Sequence, residues 1–222
     1  MSARRVLRTG GLWFDGVDDY AVVSYSSLLN VDEITITFWA NVTASMLYSD
    51  ITRRPGVFAF DFSSGYPDGN LCFGIRTTSD TFYAIYVPHA PYVGKWTFYS
   101  LTYKPGELKA YINSNLKWAA TTVNEALKKN TEPIYIMAEQ PAKLTQGCID
   151  EVRIYNRSLS ADEIKAIYER DELIRDGLVL YLDFSEYEGN VAYDKSGMGN
   201  HATIYGARWV VKRALRVLPS VR

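Results

Sequence analysis

The sequence predicts an all-β protein, an antiparallel two-sheet sandwich with one short surface helix. Runs that alternate apolar and polar residues dominate positions 12–155, among them ITITF and FAFDF, and a period of two is typical of strands with one buried face. Turn sequences rich in Gly, Pro, Asn and Asp interrupt these runs about every eight to twelve residues, which favours antiparallel strands in a sandwich. With 47% hydrophobic residues among 222, the chain can bury a sizeable core.

The one predicted helix begins after residue 160. The segment SADE at 160–163 is a capping box, in which the serine hydroxyl accepts a hydrogen bond from the backbone N–H of the glutamate. Apolar residues then recur at helical spacing, at Ile164, Ile167 and Tyr168, and such a stripe is typical of a helix that lies on a sheet. Alternation resumes at 178–184, and no linker composition separates this last part from the body. We therefore expect residues 1–222 to form a single domain.

Charge is unevenly distributed along the chain. The formal net charge is −1, so the protein as a whole has no signature of nucleic-acid binding. Residues 1–9 carry three arginines and residues 207–222 carry five basic residues, with no acid in either segment. Removing these eight from the 24 basic residues leaves 16 against 25 acids, so the body has a formal charge of −9. We expect the two segments to be basic arms that dock on the body, on a neighbouring copy or on a polyanion, or else are solvated.

Cysteines, histidines and apolar runs narrow the class of protein further. Cys72 and Cys148 are the two cysteines, and they can either form one disulfide or remain buried thiols. With only His89 and His201 beside them, their spacing builds no metal cluster. No apolar run approaches the 18 residues of a membrane span, and the first residues lack the apolar core of a secretory signal. We expect neither a membrane span nor a signal peptide in this chain.

Four blocks of sequence, in this order, resemble the laminin G-like, concanavalin A-like jelly-roll domain: LWFDGVDDYAVV, EITITFWANV, GKWTFYSLTYKPGELKAYIN and GCIDEVRIYNRSLSADEIKAIY. The resemblance covers nearly the whole chain and implies two antiparallel sheets, one concave and one convex, around a single core. The segment at 177–210 resembles the part that normally opens such a domain, yet here it comes last. A circular permutation or donation of this segment to a neighbouring copy would explain the order. We expect residues 178–209 to fold back beside the opening strands of one sandwich.

The resemblance also implies a structural calcium ion. In related folds the ion bridges the strand after the first turn and the last long strand, and the matching ligands here are the Asp15 and Asp150 side chains and the carbonyl of Gly16. Ca²⁺ binds six to eight hard oxygens, so carboxylates from two distant segments would pin those segments together. Alternatively, Asp15 belongs to a tight turn and Asp150 pairs with an arginine. The residues alone leave both interpretations open.

We predict that the chain is not an enzyme. The resembling fold hosts glycosidases, which need two carboxylates about 5–10 Å apart across a groove. The strands expected to line the concave face carry Thr, Tyr, Phe and Trp instead, and the paired acids fall at turns or on the helix. Neither histidine has the sequence context of a catalytic triad.

Carbohydrate binding needs only an aromatic platform and a few polar groups. The same aromatic residues could instead fill the core or a sheet face, as alternating aromatics usually do. The candidates for the platform are Trp39, Tyr103 and Trp118, extended by Tyr83, Tyr99 and Tyr111, with Asp50, Arg53 and Asn113 expected from loops.

Together these observations favour a non-catalytic structural or adhesion module on a virion or cell surface. We expect it to assemble with neighbouring copies or partners through its basic ends. The alternative is a calcium-assisted carbohydrate-binding module that recognises surface glycans, and the third interpretation is a glycoside hydrolase of the same fold. The expected location is an extracellular or virion surface.

Overall fold

A computed structural model describes residues 10–45, 49–62, 69–138 and 144–210, and it confirms the predicted all-β sandwich. The elements in chain order are β1 (Gly11–Asp15), β2 (Tyr20–Val23), β3 (Ile34–Ser45), β4 (Asp50–Arg54), β5 (Phe58–Phe62), β6 (Asn70–Arg76), β7 (Phe82–Pro88), β8 (Thr97–Lys104), β9 (Glu107–Ile112), β10 (Asn115–Ala120), β11 (Ile134–Ile136), β12 (Thr145–Tyr155), α1 (Ala161–Arg170), β13 (Leu178–Leu182), β14 (Val191–Ala192), β15 (Ala202–Tyr205) and β16 (Arg208–Val210). Short 3-10 turns lie at Ser27–Leu29 and Ala90–Tyr92.

The strands form two antiparallel sheets. Sheet A has the order β10-β9-β8-β3-β12-β1-β16, and β13 pairs with the part of β12 that β1 does not reach. Sheet B has the order β14-β15-β2-β11-β4-β5-β6-β7. Strand β10 ends sheet A and strand β7 ends sheet B, and these two ends lie on the same side of the sandwich, where residues of both strands line one cleft.

The core lies between the two sheets and follows the predicted alternation. On β5, for example, Phe58, Phe60 and Phe62 are buried in the core, while Asp61 points to the outer face. Rings from the two sheets meet edge to face, with 4.9 Å between the centroids of Phe38 and Phe60, a favourable aromatic geometry. The alternating pattern therefore identifies the inner face of each sheet correctly.

The last segment of the chain lies beside the opening strands, as predicted. In this one chain β16 pairs with β1, β15 pairs with β2, and β13 pairs with β12. In this structure these three pairings lie within one chain. At the start of the predicted arm at 207–222, Arg208–Val210 is a strand of sheet A. Residues 1–9 and 211–222 lie outside the described residues, and the single domain over 1–222 stays a prediction.

Helix α1 covers the outer face of sheet A. Its predicted capping box is confirmed: the Ser160 hydroxyl accepts from the Glu163 N–H at 3.3 Å, and a Glu163 carboxylate oxygen accepts from the Ser160 N–H at 2.8 Å. The apolar stripe of α1 forms a second hydrophobic cluster with aromatic residues of β3 and β8. The cluster is separate from the main core.

The two cysteines are free thiols that lie on different sheets, Cys72 on β6 and Cys148 on β12. Burial raises the pKa of both thiols, that of Cys148 to about 11. The disulfide alternative is therefore excluded in this structure. Among the described residues, α1 is too short and too polar to be a membrane-spanning helix, and no other helix meets that requirement.

Candidate functional site

An aromatic cleft lies at the side of the sandwich where β10 ends sheet A and β7 ends sheet B. Its volume is about 350 Å³, within the range of small-molecule sites. We call it the edge cleft, and its lining residues are Tyr86, Val87, Pro88, Pro91, Tyr92, Lys117 and Trp118.

Strand geometry presents two of the three aromatic rings of the edge cleft, those of Tyr86 and Trp118, to solvent. On β7, Ile85 and Val87 point into the core, so Tyr86 between them points outward and is 56% exposed. On β10, the pairing with β9 shifts register between Leu116 and Trp118, which is a β-bulge. Bulges re-aim side chains, and among the described strands only β9 pairs with β10, so Trp118 is 45% exposed.

The floor of the edge cleft is held rigidly. The 3-10 turn at Ala90–Tyr92 contains a proline, and the half-buried Tyr92 ring packs edge to face on the buried Tyr99, with centroids 6.4 Å apart. The preceding His89 packs on Phe62 with ring centroids 4.6 Å apart. Burial lowers the pKa of His89 to about 4, so its ring is neutral at pH 7. A site that is already ordered loses little conformational freedom when a ligand binds.

The charge of the edge cleft is positive. Lys117 is the charged residue among those that line it, and no lining residue carries a carboxylate. The ammonium of Lys95 donates to the carbonyl of Pro91, a lining residue, at 2.9 Å. Chemically, the described lining of the edge cleft offers two exposed aromatic side chains, an apolar floor and an ammonium group, and it does not include the carboxylate pair that glycoside hydrolysis requires.

Two of the predicted platform residues are buried elsewhere. Trp39 is 7% exposed, because Tyr168 of α1 stacks on it with ring centroids 5.5 Å apart. Tyr103 is fully buried, and its hydroxyl donates to the backbone carbonyl of Glu125. Neither ring is available to a surface ligand, so the prediction is wrong for Trp39 and Tyr103. Of the three main platform candidates, only Trp118 lines the edge cleft.

Asp50 and Arg53 lie together but outside the edge cleft. Both are on β4 rather than on a loop, and an Arg53 Nη1 atom lies 3.6 Å from an Asp50 carboxylate oxygen. Strand β4 is three strands away from β7 in sheet B, a distance of about 14 Å at the usual strand spacing. Asp50 and Arg53 are therefore too far from Trp118 to bind the same ligand, and this part of the predicted platform is wrong.

The predicted calcium ligands are not brought together. Asp15 on β1 lies opposite Gln146 of β12, and four residues further along β12 Asp150 lies beside Gly11 at the other end of β1. That spacing is about 13 Å along a strand. Gly11 has a φ of +125°, and a Cβ atom there would lie 2.3 Å from the carbonyl oxygen of Ile149. Asp15 and Asp150 are therefore too far apart to bind, together with the Gly16 carbonyl, the one calcium ion that the sequence had predicted.

Three carboxylates do meet at the turn after β1, which we call the acidic turn. Oxygens of Asp15, Asp18 and Asp19 all lie within 4.8 Å of one another. Asp15 Oδ1 accepts from the Val17 and Asp18 N–H groups at 2.7 and 3.3 Å, and Asp19 Oδ2 accepts from the Asp15 N–H at 2.9 Å. The bond from Val17 lowers the pKa of Asp15, whereas burial raises the pKa of Asp19. These bonds match the predicted alternative of a tight turn.

The comparisons with known proteins agree with this fold. The model of the concanavalin A-like lectin/glucanase superfamily matches residues 15–165, which is more than half of the chain. The chain belongs to this superfamily. A search of curated proteins finds no significant match.

Several solved structures are similar in fold to this superfamily member. A Bacteroides ovatus protein to which carbohydrate binding is attributed has a TM-score of 0.72 and 16% identity, over 93% of this chain and 61% of that one. The heptameric SAP-like pentraxin of Limulus polyphemus has a TM-score of 0.60 and 13% identity, over 89% and 94%. The binding domain of Paraclostridial Mosquitocidal Protein 1 has a TM-score of 0.57 and 16% identity, over 73% and 46%. At such identities the likeness shows the fold alone.

Most of the edge cleft of this superfamily member was missed by sequence reasoning. One signal was present in the sequence: the VPHAPY segment at 87–92 places one proline at the end of a strand and a second three residues later, whereas the exposure of NLKWAA at 115–120 is seen only in the structure. The prolines indicate a rigid turn, and the exposure indicates an edge strand. Neither indicates that the two segments lie side by side.

Proposed function

We propose that this chain is a non-catalytic carbohydrate-binding module that binds a glycan in the edge cleft. The observation that carries the proposal is the pair of exposed rings, Trp118 and Tyr86, above a rigid apolar floor in a cleft of about 350 Å³. Sugar rings combine apolar C–H faces with polar edges, and exposed aromatic rings with nearby polar groups suit both. The carbohydrate binding attributed to the Bacteroides ovatus protein supports the proposal.

The charge of the edge cleft supports binding rather than hydrolysis. Retaining and inverting glycosidases both place a carboxylic acid and a second carboxylate on the two sides of the scissile glycosidic bond. The lining of the edge cleft, in the part of the chain that the structure describes, contains a lysine and no acid. A glycan bound there would meet no general acid.

The test is glycan-array binding followed by calorimetry on the full chain. We expect Trp118→Ala and Tyr86→Ala to weaken binding by about tenfold or more, in line with aromatic anchors at other interfaces. Leu116→Ala is the matched control, because Leu116 is an exposed residue of the same strand and is not among the lining residues. Glycan binding that survives in both aromatic variants would refute the edge cleft as the site.

We propose further that the module works as an adhesion or structural protein on a cell or virion surface and assembles through its basic ends. The support is the charge contrast between the arginines at 1–9, the basic residues at 211–222 and a body that is acidic. Light scattering should show an assembly for the full chain and a monomer when these basic residues are replaced by glutamine. An unchanged molar mass would contradict this part of the proposal.

For calcium, we propose the acidic turn as the site in place of the pair with Asp150. Three carboxylates supply part of the six to eight oxygens that Ca²⁺ requires. Binding to the folded state alone would raise the thermal midpoint by several degrees at saturating calcium. Asp18→Asn should remove that rise, whereas the exposed Glu188→Gln should keep it. A midpoint equal in calcium and in chelator would refute the site.

A further inference from the structure

The lysine of the edge cleft owes its position to the bulge in β10. Leu116 pairs with Tyr111 and Trp118 pairs with Ala110, so Lys117 is the extra residue between them. In a regular strand its side chain would point away from that of Trp118, but the bulge breaks the alternation, and Lys117 and Trp118 line the same cleft. The ammonium group is therefore adjacent in the chain to the largest ring of the platform.

This ammonium is available to a ligand. Several other lysines are held in ion pairs, such as Lys109 with Glu107 at 2.7 Å and Lys129 with Asp32 at 2.9 Å. Lys117 is exposed, and within the described part of the chain it makes no ion pair. A solvated ammonium can pair with an anion, and the cost of ordering the long lysine side chain offsets part of the gain.

None of the described residues that line the edge cleft is an acid, although the body of the protein is acidic. In the row of paired residues across the outer face of sheet B, Tyr86 lies opposite Cys72, which lies opposite Asp61. Asp61 is thus two strands away from Tyr86, and its carboxylate makes a hydrogen bond with Cys72 on the strand between them. The Lys95 ammonium donates to the carbonyl of the lining residue Pro91, so the described residues in and beside the edge cleft are positive on an acidic body.

We propose that the edge cleft selects acidic saccharides, with the sugar ring on Trp118 and Tyr86 and its carboxylate or sulfate paired with Lys117. This inference rests on the proposed function and names its ligand class. A neutral sugar uses the aromatic platform alone. An acidic one adds a charge-assisted hydrogen bond, formed beside apolar rings that lower the local dielectric constant and strengthen it.

The test uses matched pairs of oligosaccharides that differ only in charge. Oligouronides from galacturonan, alginate and chondroitin are compared with their carboxyl-reduced, neutral forms by calorimetry on the full chain. We expect the best acidic ligand to bind about tenfold more tightly than its neutral form, with an affinity that falls as salt increases. Sulfated chondroitin with reduced carboxyls is a separate arm: binding as tight as that of the uronide assigns the anion to sulfate, and weaker binding assigns it to carboxylate.

Variants connect the preference to Lys117. Lys117→Gln should abolish the difference between acidic and neutral forms, and Lys104→Gln, at an exposed lysine on β8, should preserve it. Equal affinities for acidic and neutral forms in the wild type would overturn the inference and leave the proposed function intact. If Trp118→Ala binds every saccharide as well as the wild type does, the proposed function fails as well.

Discussion

Two regions of sheet A, its helix-covered centre and its open edge, carry tryptophans in similar strand patterns but use them differently. Trp39 on β3 lies beneath α1, stacked on Tyr168, whereas Trp118 on β10 is 45% exposed beside the edge cleft. The two residues differ in what lies above them rather than in their local sequence. The comparison shows that the role of an aromatic residue on a sheet face depends on whether another layer covers that face.

The covered region is also pinned at both ends of α1. At the start of the helix, the Arg157 guanidinium donates to both carboxylate oxygens of Glu163, at 3.1 and 2.6 Å. At its end, the buried Arg153 of β12 lies 3.4 Å from a carboxylate oxygen of Asp171, the C-cap residue of α1, and it also pairs with Glu151 of β12. These interactions hold α1 on sheet A, so the covered face stays closed to ligands.

The largest expected effect is on the covered tryptophan. Trp39→Ala should lower the free energy of unfolding by about 3–5 kcal/mol, because it removes a buried ring between β8 and α1 and leaves a cavity. Denaturant unfolding followed by circular dichroism measures this difference. A loss below about 1 kcal/mol would mean that α1 does not cover the sheet as described.

An effect of similar size is expected at the buried ion pair under the end of α1. Arg153→Met removes the guanidinium from beside the buried Glu151 carboxylate and should cost about 3–5 kcal/mol of unfolding free energy. Adding Glu151→Gln should restore much of that loss, since the carboxylate charge is then gone and the amide can still accept from the Tyr181 hydroxyl. A double variant no more stable than Arg153→Met would contradict the ion pair as the cause.

A smaller effect is expected from pH at the start of α1. The hydrogen bond from Arg157 lowers the pKa of Glu163 to about 2, below its ordinary value of 4.5. A lowered pKa stabilises the folded state above the ordinary value, and this contribution is lost as the pH falls through about 2. Because the carboxylate is partly exposed, we expect a contribution of about 1–2 kcal/mol at pH 6.

Unfolding free energies at pH 6 and pH 2 test that contribution. The difference between wild type and Glu163→Gln should shrink between these two values, whereas Asp162→Asn, at the neighbouring exposed acid, should show no comparable change. A difference that is independent of pH would remove Glu163 as the titrating group.

The smallest effect on stability is expected at the open edge. Trp118→Ala should change the free energy of unfolding by no more than about 0.5 kcal/mol, because the ring is exposed and only one strand pairs with β10. The same denaturant experiment measures it beside Trp39→Ala. A loss comparable with that of Trp39→Ala would show that the Trp118 ring serves packing rather than binding.

What the sequence by itself determined about this protein is local. Alternation identified the inward-facing residues of strands such as β5, the spacing of Ser160 and Glu163 predicted the start of α1, and the blocks in order indicated the superfamily. The acidic turn was also visible as three aspartates within five residues. Each of these features depends on neighbours within a few positions, where backbone geometry is set by residue type.

Only the tertiary structure decided register, coverage and the order of the strands. The register of β1 on β12 separated Asp15 from Asp150, and the docking of α1 buried Trp39. The positions of β7 and β10 at the ends of two different sheets brought Tyr86 and Trp118 to one cleft although they are 32 residues apart. These features depend on contacts between distant segments, whose free energies come from packing the whole sandwich and leave no pattern within any single strand.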